Sequence, residues 1–213
     1  MPRIDAVISD FGGVLTSPLV RSFQAFVEDA DITLADLGIA MGALAARRHA
    51  NPLFELETGQ LSEAEFLQMV GTALSEQVGR EIAMDGFGER YFATLEPNER
   101  LIEYMRELRG RGYRLAICTN NVREWDRLWR SMLPVDEIFD VVVDSAFVGA
   151  RKPDRLIYEL TLERLGVAAG AALFIDDIEI NCDAARELGM RAVWFRSTEQ
   201  AIQEIEAALG QAA

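Results

Sequence analysis

The stretch Ala6-Val7-Ile8-Ser9-Asp10-Phe11-Gly12-Gly13-Val14-Leu15-Thr16 decides how the chain is read. It opens on an apolar run rich in β-branched side chains, the mark of a buried strand. The run ends on a carboxylate, and the paired glycines that follow let the backbone turn close around a bound group. In an open α/β sheet, ligands bind beyond the carboxyl ends of the strands, so Asp10 is expected at such a mouth. By itself the pattern also describes an ordinary strand followed by a glycine turn with a solvated Asp.

Beyond it, residues 16–95 change character. Val20–Ala30, Leu34–Arg48 and Glu63–Leu74 carry apolar positions at helical spacing, with no strand alternation between them. Ser62 followed by Glu65 is a capping-box pattern that starts a helix after Gly59-Gln60-Leu61. The segment reads as a small helical insertion hanging over the mouth where Asp10 sits. From Pro97 strands and helices alternate. A helix over Pro97–Gly112 leads to a strand over Tyr113–Cys118, which closes on Thr119-Asn120-Asn121. A third strand covers Phe139–Val143, and Gly149-Ala150-Arg151-Lys152-Pro153 then leads into a helix with Pro153 in its first turn. A fourth strand, Ala172–Ile175, ends on Asp176-Asp177, and a helix from Asn181 to Leu188 is stopped by Gly189. Arg191–Phe195 makes a fifth strand and Thr198–Leu209 a closing helix. The alternation predicts an α/β fold with a parallel sheet covered on both faces. Residues 1–15 and 96–213 form the expected core, and 16–95 the inserted helical cap.

The totals narrow the function. A formal net charge of −14 over 213 residues makes nucleic acid and anionic membranes poor partners. An anionic small substrate needs a locally positive pocket or a metal. Met1-Pro2-Arg3-Ile4-Asp5 shows no signal region, and no apolar run reaches membrane-spanning length. The two cysteines, Cys118 and Cys182, read as reduced thiols of a cytoplasmic protein. His49 is the sole histidine, which leaves little material for a histidine triad or a multi-histidine metal site. The oligomeric state is not legible.

Four strand ends thus bring together Asp10, Thr119 with Asn120, Lys152, and Asp176 with Asp177. Carboxylates at two strand ends suit a hard cation such as Mg²⁺. A threonine hydroxyl and an asparagine amide supply donors for phosphate oxygens, and Lys152 a point charge. A carboxylate nucleophile is an established route for phosphoryl transfer.

The set Asp10-Phe11-Gly12-Gly13-Val14-Leu15, Thr119-Asn120-Asn121, Arg151-Lys152-Pro153 and Phe174-Ile175-Asp176-Asp177 resembles the four ordered motifs of the haloacid dehalogenase superfamily. Phe54-Glu55-Leu56-Glu57-Thr58-Gly59-Gln60-Leu61-Ser62 is similar to the cap of its subgroup with a helical insertion after the first strand, which includes epoxide-hydrolase phosphatase domains and bacterial sugar-phosphate phosphatases. The resemblance implies a three-layer Rossmann-like core with a cap, and Mg²⁺-dependent hydrolysis of a small phosphorylated metabolite through an aspartyl phosphate. By the same resemblance Asp10 matches the nucleophile and a metal ligand, and Gly12 the metal-binding backbone carbonyl. Thr119 and Lys152 match phosphate-site groups and Asn120 a substrate-binding amide. Asp177 matches a metal ligand, with Asp176 beside it.

The chain departs from that pattern at Gly12, where most phosphatases of the family carry a second Asp as general acid and base. Such a group is worth about 10²–10⁴-fold in rate. Three accounts stay open: a substrate with a good leaving group, a proton from Glu55, Glu57 or His49 of the cap, or a catalytically weak phosphate-binding or regulatory protein. A metal-free haloacid dehalogenase also fits Gly12, but the Asp176-Asp177 pair argues for a cation, since adjacent carboxylates repel. Among the remaining residues, Asn181 reads as a helix cap, His49 as a surface residue and Cys118 as a buried small hydrophobe. Glu57 either fixes the cap's turn or faces the site. Trp125, Trp129 and Trp194 read as packing residues, the first two spaced to form a patch beside the site.

Overall fold

The computed structural model describes residues 3–210. Met1 and Pro2, part of the stretch inspected for a signal, lie outside the described residues. Five parallel strands form one sheet in the order β3-β2-β1-β4-β5: β1 (Ala6–Ser9), β2 (Arg114–Thr119), β3 (Val141–Asp144), β4 (Ala172–Asp176) and β5 (Arg191–Trp194). The chain builds outward from β1 to one edge and then returns to place β4 on its other side. The strand order therefore reverses between β1 and β4, the position where α/β sheets open a crevice. Ser9 pairs with Ile117 and Ile175 in register, so Asp10 emerges between the ends of β2 and β4.

Alternation along β1 divides its side chains between two cores. Val7 packs into one with Leu101, Met105 and Leu108 of α6 (Glu99–Gly110) and Ala201, Ile205 and Leu209 of α12 (Thr198–Gly210). Ala6 and Ile8 pack into the other with Ile157 and Leu162 of α10 (Arg155–Leu165) and Cys182 and Ala185 of α11 (Glu179–Glu187). The result is the expected three-layer Rossmann-like sandwich.

Between β1 and α6 lie α1 (Val20–Asp29), α2 (Leu34–Arg48), α3 (Pro52–Glu57), α4 (Glu63–Val78) and α5 (Phe87–Ala93). They share a separate apolar cluster around Phe26, Leu44, Val70, Leu74, Phe87 and Tyr91. Ser62 and Glu65 form the anticipated capping box, and Thr33 with Asp36 form a second on α2. The two chain segments joining these helices to the sheet run side by side: Ser17 N donates to Glu96 O (2.8 Å) and Asn98 N to Leu15 O (2.9 Å).

The segment after β2 is more helical than its sequence suggests, with α7 (Asp126–Arg130), α8 (Val135–Ile138) and, after β3, α9 (Ser145–Val148). Two sequence expectations are corrected. Phe139 ends α8 instead of starting a strand; it is apolar because it plugs the core beside Leu133 and Ile138. Pro153 precedes α10 rather than lying in its first turn, because Asp154 is the cap and its carboxylate accepts from Leu156 N (3.0 Å).

Candidate active site at the mouth of the sheet

Asp10 continues the β1–β4 ladder for one residue past the strand, its amide donating to Ile175 O (2.8 Å). The chain then turns, held by Phe11, which packs under the turn against Trp129 with ring centroids 5.1 Å apart. Gly13 has φ +77° and donates to Thr16 Oγ1 (3.0 Å). A Cβ at Gly13 would fall 2.3 Å from Asp177 Oδ2, so glycine alone lets that carboxylate close over the turn.

Lys152 is the hub of the charges. Its side chain is 1% exposed and its ammonium donates to Asp10 Oδ1 (2.8 Å) and Asp176 Oδ2 (2.6 Å). Burial alone would lower its pKa, yet Asp10 and Asp176 outweigh that and hold it above the ordinary range. Asp10 Oδ1 also accepts from Phe11 N (2.7 Å). Asp176 Oδ1 accepts from Ile178 N (2.8 Å) and Asn181 Nδ2 (3.0 Å), which leaves the wholly buried carboxylate fully bonded. Burial pushes the Asp10 carboxyl up; Lys152 pulls it down, and Asp176 and Asp177 push it up again. Asp177 is raised to about 6 by burial and by Asp176.

Asp10, Asp176 and Asp177 offer carboxylate oxygens that all lie within 4.8 Å of one another. Three carboxylates share one ammonium, an excess of negative charge that the protein alone does not neutralise. An oxygen-only donor set of this size suits a hard divalent cation that keeps some of its water. Thr119, buried at the end of β2, places its hydroxyl on the same mouth, bonded only loosely to Asn120 O (3.4 Å).

Above the mouth the helical layer encloses a cavity of about 420 Å³. Gly12, Thr119 and Asn120 form its floor; its wall is almost entirely apolar. Trp125 stacks on Tyr91 (5.1 Å between centroids), and Phe87 lies against both. Bonds between the layer and the core include the pair of Glu57 with Arg151, whose guanidinium lies 3.8 Å from the Phe54 ring centroid, and Trp125 Nε1 donating to Glu63 Oε1 (2.7 Å).

A sequence model of the haloacid dehalogenase-like hydrolases matches residues 4–189. The chain belongs to that family. This haloacid dehalogenase-like hydrolase is 30% identical to mouse acyl-CoA dehydrogenase family member 10 over 96% of its own length, and spans 19% of that longer protein. It is 27% identical to a sesquiterpene phosphatase of Aspergillus oryzae, covering 96% of each chain. A HAD family enzyme of Bacteroides thetaiotaomicron, solved in complex with magnesium and inorganic phosphate, shares the fold at TM-score 0.67 and 20% identity, over 92% of this chain and 96% of that one.

Within this hydrolase, Asp10, Thr119, Lys152, Asp176 and Asp177 meet at one mouth as the motifs imply, with Gly12 at its rim. Asn120 is placed differently from expectation: its Oδ1 accepts from Lys152 N (2.7 Å) and its Nδ2 donates to Lys152 O (3.0 Å), so the amide clamps the lysine loop. Asn181 is not a helix cap; α11 starts at Glu179, and Asn181 reaches back to Asp176. Trp125 and Trp129 form no common patch, since Trp129 is sealed beneath Phe11 while Trp125 lines the cavity. Trp194 does more than pack: its indole donates to Asp177 O (3.0 Å). Cys118 is buried, and burial pushes its thiol up to about 12. Of the three cap residues considered as proton donors, His49 is exposed and Glu55 pairs with Arg48 (2.9 Å); Glu57 lines the cavity. Sequence reasoning missed Asp144, a buried carboxyl at the end of β3 that caps α9 and is raised to about 7 by burial. Its β-strand position before Ser145 was the available signal. Among the described residues no helix is long and apolar enough to cross a membrane.

Proposed function

We propose that this hydrolase is a Mg²⁺-dependent phosphatase acting on small phosphate monoesters, with residues 16–95 serving as its cap. The observation that carries the reading is the cluster of Asp10, Asp176 and Asp177 around the buried ammonium of Lys152. Asp10, Asp177 and the Gly12 carbonyl would hold Mg²⁺, with Asp176 behind them, and the ion would supply positive charge to offset the carboxylates and the phosphoryl oxygens.

The chain's own groups do the rest. With Oδ1 held by the Phe11 amide and Lys152, Asp10 presents its second oxygen to phosphorus. The bond from phosphorus to the ester oxygen breaks with its electron pair leaving on that oxygen, and an aspartyl phosphate forms at Asp10. Thr119 and Lys152 hold the transferring phosphoryl oxygens, where charge spreads in the transition state. Water then cleaves the aspartyl phosphate. Asn120 acts one step removed, by fixing the Lys152 loop.

The test is hydrolysis of p-nitrophenyl phosphate with and without Mg²⁺, in the parent and in Asp10→Asn. This aryl ester departs without an acid, so the lack of a side chain at Gly12 does not mask the activity. Turnover that needs both Mg²⁺ and Asp10 supports the reading; turnover that survives Asp10→Asn overturns it. The carboxylate cluster also weighs against a metal-free dehalogenase, which has no use for the adjacent pair Asp176 and Asp177.

A further inference from the structure

Resting on the phosphatase reading, we infer that the natural substrate is the phosphate monoester of a long apolar alcohol, whose chain fills the chamber beneath the helical layer. The chamber holds about 420 Å³ and opens at its floor onto Gly12 and Thr119. In-line displacement sends the leaving oxygen away from Asp10, and thus toward the helices. Whatever is esterified to the phosphate enters this space.

The walls select for an apolar group. Phe23, Phe66, Val70 and Phe87 present carbon surface, and most polar groups of the lining are already engaged, the Tyr91 hydroxyl being an exception. Glu57 is paired with Arg151, the Trp125 indole with Glu63, and the Asn120 amide with the Lys152 backbone. A sugar would bury several hydroxyls where Tyr91 could meet only one, at a cost of about tenfold in affinity for each left without a partner. At the roughly 30 Å³ that a water-sized group takes up in a liquid, the chamber has room for about a dozen methylene-sized units.

Position 12 points the same way. A Cβ on Gly12 would fall 2.9 Å from Leu19 Cδ1, so the space of the usual acid is filled by a chamber-lining leucine. The proton for the alcohol then comes from the substrate. In the monoanion of a phosphate monoester a phosphoryl oxygen carries a proton, and it passes to the ester oxygen as the bond to phosphorus breaks. The alcohol leaves neutral and the phosphoryl group stays on Asp10.

The experiment is a series of unbranched alkyl phosphates from butyl to hexadecyl, below their micelle concentrations, at pH 6 with Mg²⁺. p-Nitrophenyl phosphate and glucose 6-phosphate are run alongside. The expected result is a kcat/KM that climbs about fourfold per methylene and levels off near a dozen carbons, with the sugar phosphate at least about a hundredfold below dodecyl phosphate. A flat series with p-nitrophenyl phosphate still hydrolysed overturns this inference and leaves the phosphatase reading standing. No hydrolysis of any ester overturns the phosphatase reading instead. The chamber is then read by calorimetry with alkylphosphonates, whose affinity climbs with chain length if it takes the chain and stays flat if it does not. Val70→Phe, which shortens the chamber, moves the plateau to shorter chains; an unmoved plateau places the chain elsewhere.

Discussion

The mouth of the sheet and the chamber above it share Gly12 and Thr119 but are built from opposite materials. At the mouth, position is set by directed bonds: Lys152 to two carboxylates, Asp176 Oδ1 to two donors, Asn120 to the N–H and the C=O of one residue. In the chamber, position is set by rings and aliphatic side chains in contact, with few directed bonds. Hydrogen bonds fix atoms to a fraction of an ångström, as a reacting phosphorus demands. Dispersion and apolar burial tolerate chains of several lengths and shapes. On the proposed reading, chemistry belongs to one half and selection to the other.

If that division holds, changes at the mouth lower the rate alike for every ester, and changes in the chamber alter the ratio between esters. Asp10→Asn has the largest effect, a loss of at least about 10⁴-fold in kcat on aryl and alkyl phosphates together, read by steady-state kinetics. Lys152→Ala loses about 10³-fold. It also lowers the stability of the metal-free protein by about 3 kcal/mol in urea, because it leaves Asp10 and Asp176 buried without their cation. Asn181→Ala costs about 10–100-fold in Mg²⁺ affinity, measured as the shift in Mg²⁺ concentration for half-maximal rate, by loosening Asp176. An Asn181→Ala protein with unchanged Mg²⁺ dependence would remove Asp176 from the metal's support. Phe87→Leu, in the chamber, lowers the long-to-short ester ratio by about three- to fivefold through lost apolar contact. An equal fall for all esters would erase the distinction between the halves.

One further effect, on stability and not on rate, lies outside both. Asp144 is raised from 3.8 to about 7 on folding, so the native state binds its proton more tightly than the unfolded chain. The stability this gives is full below pH 3.8 and is lost as pH rises through about 7. Asp144→Asn keeps an oxygen to cap Ala146 N and abolishes the slope, so it gains roughly 2–3 kcal/mol on the parent between pH 5 and pH 8 in urea titrations.

The strand-end motifs made the mouth legible because each residue type there is tied to a fixed place in its own loop. Asp10, Thr119, Lys152, Asp176 and Asp177 could be read one loop at a time. Asn120 and Asn181 could not, since their partners come from another loop and from the strand before the helix. An asparagine near a helix start looks the same in sequence whether it caps the helix or turns back to an aspartate. Phe139 misled for a similar reason: apolar identity reports burial, and α8 buries it as well as a strand would. The chamber was out of reach altogether. Helical spacing in residues 16–95 reveals which side chains turn inward, but whether those inward faces meet or stand apart around 420 Å³ depends on how the helices cross.

The close approach of position 12 to Leu19 bears on how such an enzyme changes over generations. An aspartate enters at 12 only as the leucine side chain turns aside, since its Cδ1 would sit 2.9 Å from the new Cβ. The two positions therefore behave as a linked pair, each substitution judged by what already stands at the other. A smaller residue at 19, which opens the chamber wall, eases a path toward the acid-bearing type of site. On the proposed reading, selection for long apolar esters would oppose that step, so the substrate would help to keep position 12 without its acid.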